Sequence, residues 1–463
     1  MKRAKVSSSL RVFFWGLKLF LLRHKAKFFS ILFLVFGFWF LVFYQHFIKK
    51  PTRTAVFKIG FVAQVNLPSD LPKAVSEILS SGLTDLTSEG EATASLALKW
   101  EQDSEGKEFT FILKPSLFWV DKKSLISSDL KFDIPDVSVS FPSADKITFR
   151  LKNPFSPFPV LVSQPVFKNN SFVGTGPCLV NSVERKQEVV NRLLVSCPQQ
   201  NSLLEIRFYP SEEDGLLALN LGEIKALFGV RKLRDKLAWS NFNFYQKKCC
   251  DCFVAVFYNL RDSFLAEKNV RQALTLAIPK EEFANRALGP ISFCSWAYNK
   301  NLKEYEFNLE EAGALLEETQ LPSELKLWTT PAYLDLAQRI ATSWEKLGFK
   351  VVVETKTSKE VNQKNFQALL IGQEISFDPD QYSLWHSTQE TNITGLKSPK
   401  IDKYLEDGRE TFDKEKRKEI YQDFQKYLVE ECPAAFLYYP VEYILVSKKI
   451  DSPALHQIFK ISE

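Results

Sequence analysis

The sequence predicts an α/β protein of more than one lobe, with a transmembrane helix at its N-terminus. Three observations carry that reading. The chain has 463 residues, more than one ordinary domain holds, so two or three lobes are expected. Apolar runs of strand length alternate with helical apolar periods, and residues 325–354 make a complete β-α-β pattern. Residues 28–48 contain no Asp, Glu, Lys or Arg. At about 1.5 Å per residue, a helix of that length crosses a hydrocarbon core about 30 Å thick.

Composition bounds the function classes. Hydrophobic residues at 45% and charged residues at 25% describe a globular protein with an ample core. The net charge of +5 is unevenly placed: residues 1–50 hold ten Lys/Arg and no Asp/Glu, leaving 50 basic against 55 acidic residues elsewhere. The folded part is mildly acidic, which argues against nucleic-acid binding. Basic residues crowd ahead of the apolar run, so the positive-inside bias makes 1–27 a cytoplasmic tail, 28–48 the anchor, and everything after residue 50 extracytoplasmic. A cleaved signal peptide is the competing reading. It conflicts with the length of the apolar run and with the lack of a small-x-small cleavage site before Lys49. Residues 10–22, interrupted by Arg11 and Lys18, read as an interfacial helix.

In chain order, residues 55–65 read as a strand, followed by Asn66-Leu67-Pro68 and an apolar-periodic helix through Ile78. Strands follow at 109–113 and 145–151. Gly174-Thr175-Gly176-Pro177 precedes neither a lysine nor a helical pattern, so it is a turn before a hairpin rather than a phosphate loop. Residues 203–208 read as a strand, 214–221 as a short helix, and 253–258 as a buried strand ending at Asn259. Val270, Ala273, Leu274 and Ala277 share one helix face. Pro279 ends that helix and opens the next, which carries Phe283, Ala287 and Leu288. A short helix at 310–316 leads into the β-α-β unit: strand 325–328, helix 334–347 stopped by Gly348, and strand 351–354. Residues 366–371 form a strand ending at Gly372. Ser398-Pro399 opens one helix, and Ile420, Tyr421, Phe424, Tyr427 and Leu428 line a second before the proline-started strand after Cys432-Pro433.

The densest landmark is Phe377-Asp378-Pro379-Asp380, followed by Asn392-Ile393-Thr394-Gly395 and the Ser398-Pro399 helix. Together with Gly174-Thr175-Gly176-Pro177 and Asn269-Val270-Arg271-Gln272-Ala273-Leu274, this ordered series resembles the extracytoplasmic solute-binding proteins of family 5, the peptide/nickel-binding receptors of ABC importers. The resemblance covers most of 55–445, but only about fifteen residues stand where the family usually inserts a long helical segment. It implies a two-lobed periplasmic-binding-protein-like fold of type II. Lobe 1 would take 51–258, with a reduced accessory region around 70–150, lobe 2 would take 259–436, and 437–463 would return to lobe 1. The hinge is expected at 257–262, with a second crossing at 436–439.

The function implied is substrate binding for an ABC importer: an oligopeptide or other small extracellular solute held between the lobes, with permease subunits as partners and no cofactor. A membrane-tethered sensor or scaffold that keeps the fold without transport is the alternative. The resemblance puts the ligand walls at Tyr258 and Asn259, at Trp296 and Tyr298, and on the loop carrying Gln373, Glu374, Asp378, Asp380 and Tyr382. Asp378 and Asp380 also suit a turn in which Asx side chains bond their own backbone. Aligned on Asp378-Pro379-Asp380, Gly372 and Ile375 stand where the family's peptide binders carry a ligand-stacking tryptophan and an ammonium-binding aspartate. Selection of a free α-amino group is therefore not expected; the alternative is a one-residue loop shift that lets Glu374 take the place of the aspartate.

No nucleophile–base motif or Walker pattern occurs, and four histidines far apart in sequence suggest neither catalysis nor a metal site. Seven cysteines lie on the extracytoplasmic side, where disulfides persist. Cys178 and Cys197 flank a hairpin turning near Lys186-Gln187, which sets them opposite each other for a disulfide. Cys249, Cys250 and Cys252 leave two readings, a local bridge or part of a metal cluster. Seven is odd, so at least one thiol stays free or bonds elsewhere.

Overall fold

The computed structural model describes residues 55–231, 240–361 and 364–461, with short helical pieces at 12–13, 15–16, 18, 23 and 36–39. The chain divides into two units, Met1–Ala55 and Val56–Glu463. Among the described residues no helix is long and apolar enough to cross a membrane. Most of the expected anchor, 28–48, and of the basic tail, 1–27, lies outside the described residues.

Among its described residues the second unit contains two large sheets, a four-stranded sheet and a two-stranded hairpin. Strand β1 (Ala55–Val62) is followed by helix α1 (Lys73–Leu79) and the hairpin β2 (Thr84–Leu86)–β3 (Ala92–Ala94). Strands β4 (Ala97–Gln102), β5 (Glu108–Leu113), β6 (Val137–Ser143) and β7 (Lys146–Leu151) form a sheet of order β4-β5-β7-β6. β5 alternates, burying Phe109, Phe111 and Leu113 against Phe149 and Phe158 in a core of its own.

The hairpin β8 (Leu179–Lys186)–β9 (Val189–Cys197), strand β10 (Ser202–Tyr209), helix α2 (Glu212–Asn220), and strands β11 (Ala226–Val230) and β12 (Phe242–Lys248) follow. They belong to a seven-stranded sheet of order β12-β18-β11-β1-β10-β9-β8, whose β18 (Val441–Ser447) comes from the far end of the chain. Within its core Phe61 and Phe228 stack at 4.6 Å and Phe459 packs on both. This is lobe 1.

Lobe 2 holds the five-stranded sheet β15-β14-β16-β13-β17. Its strands are β13 (Cys252–Tyr258), β14 (Glu324–Thr329), β15 (Lys350–Thr355), β16 (Ala368–Glu374) and β17 (Ala434–Tyr438). Helices α3 (Lys268–Leu276), α4 (Leu309–Ala314), α5 (Leu334–Trp344), α6 (Pro399–Glu410) and α7 (Lys414–Glu431) accompany them, and α8 (Pro453–Phe459) closes the chain on lobe 1. β13 is buried almost throughout, as a central strand covered on both faces must be. The β-α-β unit is parallel, and Gly348 at φ +102° ends its helical segment in the left-handed conformation that glycine tolerates best.

Local chemistry accounts for several boundaries. Ser398 accepts the Ile401 amide ahead of Pro399, and Asp413 accepts the Lys416 amide, so both long helices are N-capped by side chains. The buried face of α7 is Tyr421, Phe424, Gln425 and Leu428, with Tyr427 at its margin. The helix expected after Pro279 does not form. Instead Arg286 bridges to Tyr438 and the Ala287 amide donates to Leu437, so this segment extends the sheet beside β17. β16 continues through Gly372 to Glu374, because Gln373 and Glu374 still pair with Phe253 and Cys252.

The chain passes between the two large sheets at residues 249–251 and again at 439–440. The first crossing therefore precedes β13, whereas the sequence pointed to 257–262. A strand buried by pairing on both edges belongs wholly to one lobe, so the hinge cannot lie at its far end.

Candidate functional site

Strand direction locates the crevice. In lobe 1, β1 and β11 run parallel, and the Ala63 amide donates to the Tyr209 carbonyl at the end of β10. In lobe 2, β14, β15 and β16 run parallel. β16 lies antiparallel to β13, so its carboxyl end sits beside Cys252, immediately after the first crossing. β11 lies antiparallel to β18, so its carboxyl end meets Tyr443, just after the second. Carboxyl ends of parallel strands from both lobes thus converge on the crossings, where open α/β sheets form binding crevices. Arg231 follows β11 and pairs with Glu442 at 3.7 Å; Tyr333 follows β14. Glu374 is exposed and Gln373 half-buried at the end of β16. A Cβ at Gly372 would stand 2.6 Å from the Tyr333 hydroxyl, so Tyr333 occupies the space above that glycine. Burial raises the Tyr333 phenol pKa, and the Arg231 charge partly opposes the shift.

Disulfides brace this region. Cys250 in the first crossing is joined to Cys294, and Cys249 to Cys252. The second crossing holds the same loop: the Tyr439 hydroxyl donates to Ile291, and its ring meets Phe293 edge-on at 4.8 Å. Trp296 and Tyr298 stand on this pinned loop, both half-buried, and the Trp296 amide reaches the Glu89 carbonyl of the β2–β3 hairpin at 3.2 Å. Among the described residues, one grouping of metal-type ligands lies within 4.8 Å: Cys249, Asp251 and Cys252. Its two sulfurs are bonded to each other and are not thiolates.

The aspartates of Phe377-Asp378-Pro379-Asp380 have other partners than a ligand. Asp378 is 3% exposed and takes two bonds from Arg417, at 2.8 and 2.6 Å. Burial opposes the Arg417 charge, but the Asp378 carboxylate outweighs it and holds the guanidinium well above its usual pKa. Asp380 takes a forked pair from Arg409, with Nε at 3.0 Å and an Nη at 2.8 Å. The Asx turns are also present, since Asp378 accepts the Asp380 amide and Asp380 accepts the Tyr382 amide. Both carboxylates are thus framework groups: doubly held carboxylates have little capacity left for a ligand. Tyr382 lies between the Arg409 guanidinium, 3.9 Å from its centroid, and the His386 ring at 4.0 Å.

Two expected wall residues lie elsewhere. Tyr258 is fully buried, its hydroxyl bonded to Thr275 and its ring 6.4 Å from Trp344. Asn259 donates its amide to Phe366 and accepts the Arg261 amide. Both stand at the far end of β13, about 20 Å from the crossing at 3.3 Å per residue. The structure therefore groups Trp296, Tyr298, Gln373 and Glu374 near the crossings and leaves Tyr258 and Asn259 out. Arg231 and Tyr333, which the sequence reading did not name, also stand at this candidate site. The β-α-β pattern at 325–354 already marked a carboxyl end just before Tyr333, and that signal could have found it.

A model of the bacterial extracellular solute-binding proteins, family 5 (middle), matches residues 91–395. The oligopeptide-binding protein AppA of Bacillus subtilis is 26% identical over 240 residues, 44% of this chain and 44% of that protein. The chain therefore matches less than half the length of that relative. A probable D,D-dipeptide-binding periplasmic protein, DdpA of Escherichia coli, is 21% identical over 442 residues, 79% of this chain and 84% of that one. Among solved structures, NikZ from Campylobacter jejuni in complex with Ni(L-His) superposes with a TM-score of 0.72 at 21% identity, covering 89% of this chain and 100% of that one. AppA of Bacillus subtilis in complex with a nonapeptide gives 0.67 at 18% identity, with the same coverage. At such identities the superpositions establish the two-lobed fold alone.

Proposed function

The chain belongs to the bacterial extracellular solute-binding proteins of family 5, and from that premise we propose that it is the receptor of an ABC importer, closing its lobes on an oligopeptide-like solute. The family consists of transporter substrate-binding proteins rather than enzymes. The observation that carries the proposal is the convergence of parallel-strand carboxyl ends from both lobes on two short crossings. Short crossings suit a hinge, and the converging strand ends supply the crevice that it would close. In this reading lobe 1 takes 56–248 and 441–461 and lobe 2 takes 252–438, with β4–β7 as the reduced accessory region. Residues 28–48 tether the extracytoplasmic bulk to the membrane beside the permease.

Trp296, Tyr298, Tyr333, Gln373 and Glu374 are the proposed ligand walls; Asp378, Asp380 and Tyr382 support them from behind. Ile375 is buried, and its amide donates to Asp251. It offers no charge to an ammonium, and an unpartnered buried ammonium costs several kcal/mol. Peptide is therefore gripped through backbone and side chains rather than through its free α-amino group. Mass spectrometry of small molecules co-purified with the native protein identifies the ligand, and calorimetry then compares that peptide with its N-acetylated form. The expected difference is below about tenfold, ~1.4 kcal/mol. A larger loss on acetylation overturns the α-amino claim. Absence of any peptide or other small solute from native preparations overturns the receptor reading.

A further inference from the structure

Outside the crossings, lobe 2 touches lobe 1 at the β2–β3 hairpin and α1, where the Trp296 amide reaches Glu89, Lys414 pairs with Glu91 and Lys73 stands over the Phe377 ring, and again where α6 meets α7. The Ser156 amide donates to the Arg409 carbonyl at 2.8 Å, and its hydroxyl donates to the Gly408 carbonyl at 3.2 Å. The Arg409 guanidinium stands 5.1 Å from the Phe155 ring centroid. Phe412 lies over Gly106, where an added Cβ would stand 2.2 Å from its ring. At this second patch two hydrogen bonds, one cation–aromatic pair and one inserted ring form a mixed, partly polar contact, unlike the large apolar interfaces that lock domains permanently.

The lobe 2 half of this seam is assembled without lobe 1. Asp380 holds Arg409 by its fork, and Tyr382 covers one face of the guanidinium at 3.9 Å. His386 stacks on the other face of Tyr382, and its own ring nitrogens face Thr388 and Glu406. The guanidinium held in this way also meets the Phe155 ring of lobe 1. A cation so oriented loses little freedom when an aromatic ring arrives, which is what makes a weak contact effective.

We propose that Asp380 and Arg409 are positioning residues for lobe closure: they hold a preset cation that Phe155 and Ser156 of lobe 1 engage when the crevice shuts. The Asp378-Pro379-Asp380 turn then acts on binding through the lobe seam and not by touching ligand. The proposal rests on the hinge-closure reading above, but its test needs no ligand.

The test is a double-mutant cycle read as interlobe distance. Cysteine-independent spin labels at the exposed positions Leu217 and Lys346 report the separation of lobes 1 and 2 in the full-length protein. Phe155→Ala and Arg409→Lys, on opposite lobes, are each expected to raise the ratio of long to short distances at least threefold. The double variant is expected to match the larger single effect rather than the product of both, because either change alone breaks the same contact. Ser156→Ala, which removes one hydroxyl and leaves the fold alone, is expected to shift the ratio in the same direction by a smaller factor. Distance distributions unchanged in Phe155→Ala and Ser156→Ala, or multiplicative effects in the cycle, overturn the proposal. Failure to find a peptide ligand leaves this readout intact, so the two claims fail separately.

Discussion

Lys280 places its ammonium in the interior of lobe 2, 1% exposed, donating to the carbonyls of Thr275 and Tyr305. Burial, with the nearby Arg286 charge, lowers its pKa to about 7. The sign of the linkage follows directly. Between about pH 7 and the ordinary lysine value, the unfolded chain binds a proton that the folded chain does not, so folding stability rises with pH. Below about 7 both states are charged and this group adds no slope. Urea midpoints at pH 7, 8 and 9 for wild type and Lys280→Met test it. Wild type is expected to gain on the variant across that window, by at most about 1.4 kcal/mol per pH unit. A difference that stays flat or falls would show the amine to be charged in the folded state.

At the scale of elements, the Gly174-Thr175-Gly176-Pro177 turn finishes helix α1. The Gly176 amide donates to the Leu79 carbonyl, the Cys178 amide to the Ile78 carbonyl, and Thr175 accepts the Ser81 amide. Carbonyls at a helix end have no intrahelical donor, and this turn supplies them. A Cβ at Gly176 would stand 2.6 Å from the Leu79 carbonyl carbon, and neither backbone has room to yield. Gly176→Ala is expected to cost about 1–3 kcal/mol in chemical denaturation. An unchanged midpoint would contradict this close approach. The turn leads into the β8–β9 hairpin, where Cys178 and Cys197 lie one step beyond the Leu179–Ser196 pair and are joined, with Cα atoms 4.4 Å apart. In the chain-entropy model a loop of this size contributes about 3 kcal/mol. The Cys178→Ser/Cys197→Ser double variant is expected to lose stability of that order, and recovery of both as free thiols from wild type would refute the bridge.

At the scale of the whole molecule, the two crossings and the disulfides beside them make the region between the lobes stiff on the lobe 2 side. Cys250–Cys294 and the Tyr439 contacts tie the loop of Trp296 to both crossings, so this loop is expected to move with lobe 2. The proposed tether at 28–48 is open to a direct test. If residues 28–48 remain attached, membrane fractions should contain a chain whose N-terminus precedes residue 28, extractable by detergent and not by high salt or alkaline carbonate. A mature N-terminus between residues 48 and 60 would instead establish cleavage.

The features legible in the chain are local or nearly so. The parallel β-α-β unit, the stop at Gly348, the helix opened by Ser398-Pro399 and the Cys178–Cys197 hairpin all rest on residues within one supersecondary unit, where spacing dictates geometry. The ordered motifs likewise sufficed for the family, because they report many such units in sequence. The tertiary structure alone decided which side chains face the crevice. Tyr258 and Tyr333 both stand at or just beyond a strand end, yet only the direction of each strand relative to the crossings sends one into the core and the other to the mouth. The pairs Asp378–Arg417, Asp380–Arg409 and Cys250–Cys294 join residues 39, 29 and 44 positions apart. Their partners meet through the packing of separate helices and loops, which no periodicity records. A carboxylate in a turn looks available until the fold brings an arginine to it. Sequence spacing therefore reached only half of the candidate site.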